Sequence, residues 1–328
     1  MEVPLDDAAD GGTPPYARAA ERGAALGDYY DRLVRWTGWA RRFGYGGGHE
    51  TLTVHRALAD PRANGQPTVT RLHDVLLASL PVPPSGHVLD AGCGLGGTML
   101  DLATRTSATF TGLTLSARQA SIGNRAAAQA DLAGRVALTV ASYDSPPPGP
   151  FALAVAIESL AHSPHPAASL AAIAARLAPG GVLAIADDMP HAAAKGTHDL
   201  KLLQAGWRLP RLLDAAQLAA ALAANGLAVI ADRDLTEEVR PRTLAQIARL
   251  SAVNRALHRL APSAGLRTLL DSYQGGLALE RLYRRSLMSY RLVVARKDPG
   301  AVDIRDGGAA DNATTQRRRP TRTAYTLP

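Results

Sequence analysis

His87-Val88-Leu89-Asp90-Ala91-Gly92-Cys93-Gly94-Leu95-Gly96-Gly97-Thr98 runs from an apolar strand through a glycine-rich turn into a helix. Glycine permits the tight turn and a close backbone approach, and the first turn of the helix leaves N–H groups unpaired. The segment is therefore expected to hold a nucleotide-like ligand. Outward from it, strand and helix patterns alternate. Strands are expected at His87–Ala91, Ala108–Leu113, Val136–Val140, Phe151–Ile157, Val182–Ala186, Leu227–Ala231 and Tyr290–Ala295, and helices after Gly97, Ser116, Pro166 and Leu212. Such alternation predicts an α/β fold with a doubly wound, mostly parallel, seven-stranded sheet. Ser116-Ala117-Arg118-Gln119 reads as a capping box at a helix start, and Pro179-Gly180-Gly181 as a turn into a buried strand.

The rest of the chain arranges itself around this core. Residues 1–80 are expected to form a helical N-terminal region, with helices at Ala17–Trp36 and Pro67–Leu80 separated by the Gly44–Gly48 break and stopped by Pro81, Pro83 and Pro84. The core spans 81–235, a helical insertion at 236–288 caps the ligand end of the sheet, 289–296 is the last strand, and 297–328 is a disordered polar tail. At 328 residues with 46% hydrophobic and 20% charged residues, the composition excludes collagen-like, coiled-coil and wholly disordered chains. The single cysteine, Cys93, excludes a disulfide scaffold or a multi-cysteine zinc site and fits a reducing compartment. No apolar stretch is long enough to span a membrane and Met1–Asp10 lacks a secretory pattern, so a cytoplasmic protein is expected. The net charge of +7 arises from arginines spread along the chain rather than from a phosphate-binding stripe, so no nucleic-acid partner is expected.

Gly92, Gly94 and Gly97 also satisfy G-x-G-x-x-G, which raises a dinucleotide as the ligand. Asp90 argues against it. Two charges roughly 4 Å apart interact by about 4 kcal/mol at an effective dielectric of 20, repulsive for a pyrophosphate and attractive for an ammonium or sulfonium. The ribose-binding acid of dinucleotide proteins is also missing, since Gly112-Leu113-Thr114-Leu115-Ser116 stands where it is expected. These residues point to S-adenosyl-L-methionine.

Residues 87–187 resemble a class I S-adenosylmethionine-dependent methyltransferase, whose fold is Rossmann-like. Gly112-Leu113-Thr114-Leu115-Ser116-Ala117-Arg118-Gln119 is similar to the segment after the second strand in tocopherol, cyclopropane-forming and prenyl-diphosphate methyltransferases. Ala156-Ile157-Glu158-Ser159-Leu160-Ala161-His162-Ser163-Pro164 is similar to the corresponding stretch after the fourth strand of sterol C-methyltransferases. Leu177-Ala178-Pro179-Gly180-Gly181 resembles a turn shared by the whole superfamily. The resemblance implies that Asp90, Gly92 and Gly94 flank the methionine part of the cofactor and that Thr114 and Gln119 face its ribose, Gln119 having the alternative role of capping partner. Ser142 aligns with the residue that faces adenine, Asp144 is a displaced candidate, and Tyr143 either packs on the adenine or is an ordinary half-buried tyrosine.

On the acceptor side, methyl transfer from a sulfonium needs alignment and exclusion of water, and no metal. Glu158, at the end of an apolar strand, is the expected catalytic base, with His162 sharing the proton or orienting the acceptor. Asp187 ends the next strand at the same edge. Tyr29, Tyr30, Trp36, Trp39, Phe43 and Tyr45 crowd six of the fifteen aromatics into a short stretch. Aromatic faces attract cations, so this segment is expected to act as a lid or, alternatively, to pack into the core. The resemblance singles out Tyr30 for the cofactor and Tyr45 for the substrate, with Trp39 beside it. The reading is C-methylation of a small hydrophobic, isoprenoid- or terpenoid-type metabolite in secondary metabolism. Its alternatives are O- or N-methylation of a small natural product and, from another class, a non-catalytic cofactor-binding protein. A prenyl diphosphate acceptor would need Mg²⁺ and cations such as Arg208, Arg211, Arg240 and Arg242. A homo-oligomer is left open.

Overall fold

The structure is a computed structural model and describes residues 23–33, 52–81 and 85–299. Expectations placed on residues 1–22, Trp36, Trp39, Phe43, Tyr45, the Gly44–Gly48 break, Pro83, Pro84 and the tail beyond 299 lie outside those residues. Of the first expected helix, residues 23–33 are described and are helical (α1).

The sheet has seven strands: β3 (His87–Ala91), β4 (Thr109–Thr114), β5 (Val136–Val140), β6 (Phe151–Ile157), β7 (Leu177–Pro190), β8 (Leu227–Asp234) and β9 (Met288–Lys297). Their order is β5-β4-β3-β6-β7-β9-β8, with β9 antiparallel to both of its neighbours. Connections leave β3 on one side toward β4 and β5 and on the other toward β6 and β7. The crevice at the carboxyl end of β3 is therefore the switch point where α/β sheets bind ligands. The central strands are buried on both faces, as their continuous apolar runs require. Helices α3 (Gly97–Arg105), α4 (Ala117–Gln129), α5 (Pro166–Arg176) and α7 (Ala215–Ala224) follow the turns where the sequence places them.

Four details differ from the sequence pattern. The helix expected from Pro67 begins at Thr70 (α2, Thr70–Ser79), because Pro67–Thr68 (β2) pairs antiparallel with Leu58–Ala59 (β1). Strand β7 does not stop at Ala186: β9 pairs with it from Val182↔Arg296 to Pro190↔Met288, so Asp187 and Asp188 are held within a strand that outruns β6. Helix α6 (His198–Trp207) is absent from the sequence reading. It is short, with Leu200, Leu203 and Gly206 as its buried face, and Thr197 caps its start. The capping box at Ser116 is half made. The Ser116 hydroxyl accepts from the Gln119 N–H at 2.9 Å, but the Gln119 side chain turns to Thr114 instead.

The insertion contributes α8 (Leu244–Leu260) and α9 (Ala264–Arg284). α9 packs on α6 through facing glycines: a Cβ on Gly206 would stand 2.5 Å from the Asp271 carbonyl and 3.0 Å from the Gly275 Cα. This contact brings Trp207 and Ser272 over the sheet's ligand end, where the Trp207 indole N–H donates to the Ser272 carbonyl at 2.9 Å. Tyr29 of α1 donates to the Gly206 carbonyl, also at 2.9 Å, and so ties the N-terminal helix to the same cap. Because backbone blocks the added carbon, Gly206→Ala is expected to lower stability by about 1–3 kcal/mol, read from urea unfolding.

Candidate active site

The glycine turn is anchored from below. The N–H groups of Gly92 and Cys93 both donate to the Leu113 carbonyl of β4, at 3.1 and 2.9 Å. Gly92 has φ +100° and a Cβ there would lie 2.4 Å from the Ser159 Cβ, so glycine is required on both grounds. Ser159 in turn donates to the Ala91 carbonyl at 2.6 Å, and Tyr143 donates to the Ser159 carbonyl at 2.9 Å. The turn is thus clamped between β4 and the segment after β6.

Above it lies a cleft of about 250 Å³. Its walls include the candidates Asp90, Gly92, Gly94, Thr114, Gln119, Tyr143, Tyr30, Glu158, His162 and Asp187. Ser142 is not among them: its hydroxyl accepts from the Asp144 N–H at 3.1 Å, which turns it into the loop. Asp144 likewise turns away to accept a hydrogen bond from Ser169. Thr114 donates to Gln119 Oε1 at 2.7 Å, so these two form one polar unit at the β4 end. Trp39 and Tyr45 lie outside the described residues.

Asp90 is 3% exposed, and no described side chain or backbone group hydrogen-bonds its carboxyl. Burial alone pushes it up to about 7. A buried carboxyl without a partner is unfavourable unless the site is built to receive a donor or a cation. Together with the glycine cradle, it fits the ammonium-bearing methionine end of S-adenosylmethionine, and the Thr114–Gln119 pair offers the polar groups a ribose needs.

Three groups here escaped the sequence reading. The first is Arg56, whose backbone N–H and Nε both donate to Glu158 Oε1 at 3.1 Å, while its second terminal nitrogen reaches Asp188 Oδ2 at 2.5 Å. Its guanidinium lies 4.6 Å from the Tyr290 ring centre and 5.2 Å from that of Tyr283. Tyr290 donates to Glu158 Oε1 at 2.9 Å and Tyr283 to Asp188. Burial, the largest single influence, works to raise Glu158, but the Arg56 charge acting together with His55, the Arg56 N–H and the Tyr290 hydroxyl outweighs it and holds the carboxyl below its ordinary range. So paired, Glu158 is held as an anion on the cleft wall. The second and third groups are His55 and Asp188, both on the cleft wall. No local motif marks His55 or Arg56, and the carboxylate partners of Arg56 lie more than a hundred residues away; the Asp187-Asp188 doublet was the one available signal.

Asp187 differs from its neighbour. Burial, with the negative charges of Asp188 and Glu158, pushes it up to about 8. His162 Nε2 lies 2.6 Å from the Tyr30 hydroxyl, and burial lowers its pKa to about 4, so the ring is neutral at pH 7.

The methyltransferase domain family matches this chain over residues 62–232. The chain belongs to the class I S-adenosylmethionine-dependent methyltransferases. This methyltransferase is 30% identical over 186 residues to the 27-O-demethylrifamycin SV methyltransferase of Amycolatopsis mediterranei, covering 56% of this chain and 68% of that one. It is 28% identical over 225 residues to cycloartenol-C-24-methyltransferase 1 of Oryza sativa subsp. japonica, covering 66% of this chain and 64% of the relative, slightly under two thirds of the latter's length. Relatives named as C-, O- and N-methyltransferases all occur. The crystal structure of the [4+2]-cyclase SpnF superposes with a TM-score of 0.65 at 22% identity, over 84% of this chain and 96% of that one, which shows the shared fold. No described helix is long and apolar enough to cross a membrane.

Two outcomes follow from the buried acids. A cation beside Asp90 favours its ionised form, so S-adenosylmethionine binding just below pH 7 is expected to release a proton, read as a buffer-dependent calorimetric heat. Asp90→Asn is expected to abolish that dependence and weaken binding about tenfold to a hundredfold. Separately, Asp187 keeps its proton to about pH 8, whereas an unfolded aspartate loses it near pH 4. Between these values the folded state binds more protons, so this group makes stability fall as pH rises. Asp187→Asn is expected to flatten the decline of the urea midpoint between pH 5 and 8.

Proposed function

We propose that the protein transfers a methyl group to a hydroxyl oxygen of a neutral, largely apolar small molecule. The make-up of the cleft carries this reading. Apolar side chains such as Leu26, Leu33, Leu209 and Leu212 line it together with the carboxyls of Asp90, Glu158, Asp187 and Asp188, and among the described residues no Lys or Arg side chain lines it. An anionic acceptor would face repulsion there of about 4 kcal/mol for each ionised carboxylate at roughly 4 Å. None of the arginines considered for a diphosphate lines the cleft. Arg242 pairs with Glu280, Arg240 donates to the Glu237 carbonyl, Arg211 lines a small neighbouring cavity that shares Asp187 and Asp188 with the cleft, and Arg208 meets the site through its carbonyl.

S-adenosylmethionine supplies the electrophilic methyl group. Asp90 and the glycine turn bind and orient it, and α1 with Trp207 shields the cleft from water. A hydroxyl acceptor has to lose its proton. Tyr30 donates to the neutral His162 Nε2 and lines the cleft, so it can take the acceptor's proton as it passes its own to His162.

Carbon methylation of an isoprenoid-type acceptor is the second reading, and one observation favours it. All three bonds to Glu158, whose pKa is lowered, fall on Oε1, so Oε2 has no partner among the described residues and Glu158, on the cleft wall, would stabilise positive charge on an alkene carbon.

Methyl-labelled cofactor, incubated with a panel of hydroxylated aromatics, polyketides and terpenoids and followed by mass spectrometry, separates the two. The proposal expects a labelled methyl ether. His162→Ala is expected to lower kcat by about 10² or more while leaving cofactor affinity within about threefold. A C-methylated product, lost in Glu158→Gln and retained in His162→Ala, would overturn the hydroxyl reading in favour of the carbon one.

A further inference from the structure

Behind the cleft wall lies a pair of buried histidines that the reaction as written does not use. His55 Nδ1 sits 2.9 Å from the Arg56 carbonyl, and His73 Nδ1 sits 2.8 Å from Asp101 Oδ2. A carbonyl only accepts, and Asp101, which His73 and Arg105 hold below its ordinary range against the effect of burial, accepts as a carboxylate. Both Nδ1 atoms must therefore carry protons. The two Nε2 atoms then face each other at 2.9 Å, with Thr98 Oγ1 3.2 Å from that of His73. Two lone pairs do not hold that distance; a third proton between the rings does. The pair thus carries one positive charge, balanced by Asp101. Burial, opposed by Glu158 and reinforced by the neighbouring ring, lowers His55 to about 4.

His55 belongs to a strap, residues 52–56, laid directly across the glycine turn. A Cβ on Gly97 would meet the Thr53 nitrogen at 2.3 Å, and one on Gly94 the Val54 Cγ2 at 3.0 Å. Leu52, Thr53, Val54 and His55 all form cleft wall. Arg56 fastens one end of the strap to Glu158 and Asp188, and the histidine pair fastens it to α2 and α3.

We propose that the proton shared by His55 and His73 latches this strap over the turn, which makes His73 a positioning residue for S-adenosylmethionine. This rests on the family's cofactor and not on the acceptor reading, so direct binding tests it whatever the acceptor is. The latch opens as pH rises, when the shared proton is lost. The charged groups around it are Arg56 and Glu158 on the cleft side, Asp101 and Arg105 on α3, and Asp74 of α2, which Arg105 reaches.

The test is calorimetric binding of S-adenosylhomocysteine from pH 6 to 9 to the wild-type protein, His73→Gln and His73→Ala, alongside NMR of the ¹⁵N-histidine-labelled wild type. A glutamine amide donates to His55 without titrating. Asp90 titrates in all three proteins and cancels in ratios between them. The latch predicts three ring protons on the four nitrogens of the pair at pH 6, His73→Ala binding about tenfold more weakly than wild type at that pH, and a Kd ratio of wild type to His73→Gln that grows about tenfold by pH 9. Two neutral rings at pH 6, His73→Ala within threefold of wild type, or a ratio that stays flat would each overturn it.

Discussion

Arg56 is buried with its guanidinium beside the rings of Tyr283 and Tyr290, and through it the chain holds two carboxylates at the carboxyl edge of the sheet. Removing one partner of such a buried cluster typically costs about 3–5 kcal/mol, because the remaining charge is left uncompensated. The cluster draws together five parts of the chain: the strap, the β6 end, β7, α9 and β9. Glu158 has φ 48°, a left-handed conformation unfavourable for a residue with a Cβ, and its ties to Arg56, Tyr290 and the Ala186 carbonyl hold it there. The geometry of this end of the cleft depends on that one guanidinium.

The acids around the cleft consequently divide by protonation state. Glu158 is kept ionised by Arg56, Asp188 shares that cation but rises to about 6, Asp187 rises to about 8, and Asp90 to about 7. Four carboxyls in one cleft would repel strongly if all were charged. Burial removes part of that repulsion by keeping protons on those that lack a cation. What remains is a cleft that is negative without being saturated, which suits a sulfonium. The same division sets an ionised acid, Glu158, apart from a neutral histidine, His162, hydrogen-bonded to Tyr30.

The alternating pattern from residue 87 onward was legible because parallel strands buried on both faces read as continuous apolar runs, and helix starts carry their own markers. Phe151–Ile157 and Val136–Val140 match the sheet residue for residue. Less legible was the extent of β7, since its last residues are ordered by β9, a hundred residues later in the chain. Helix α6 was hidden because its buried face includes a glycine, whose value lies in a close approach to α9. On the site, Asp90 and the glycine turn were readable as a local motif. Ser142 lies off the cleft wall with its hydroxyl accepting from its own turn, a preference that alignment by position does not show.

The amino-acid order alone therefore determined the class of sheet, the place of the cofactor turn and the charge facing it, because each is encoded within a dozen consecutive residues. Only the folded chain decided which acid is ionised, which histidine is neutral and which arginine lies beneath the cleft. Protonation depends on burial and on the nearest opposite charge. Both come from residues such as Arg56 and Glu158, which stand about a hundred positions apart in the chain and 3.1 Å apart in the protein.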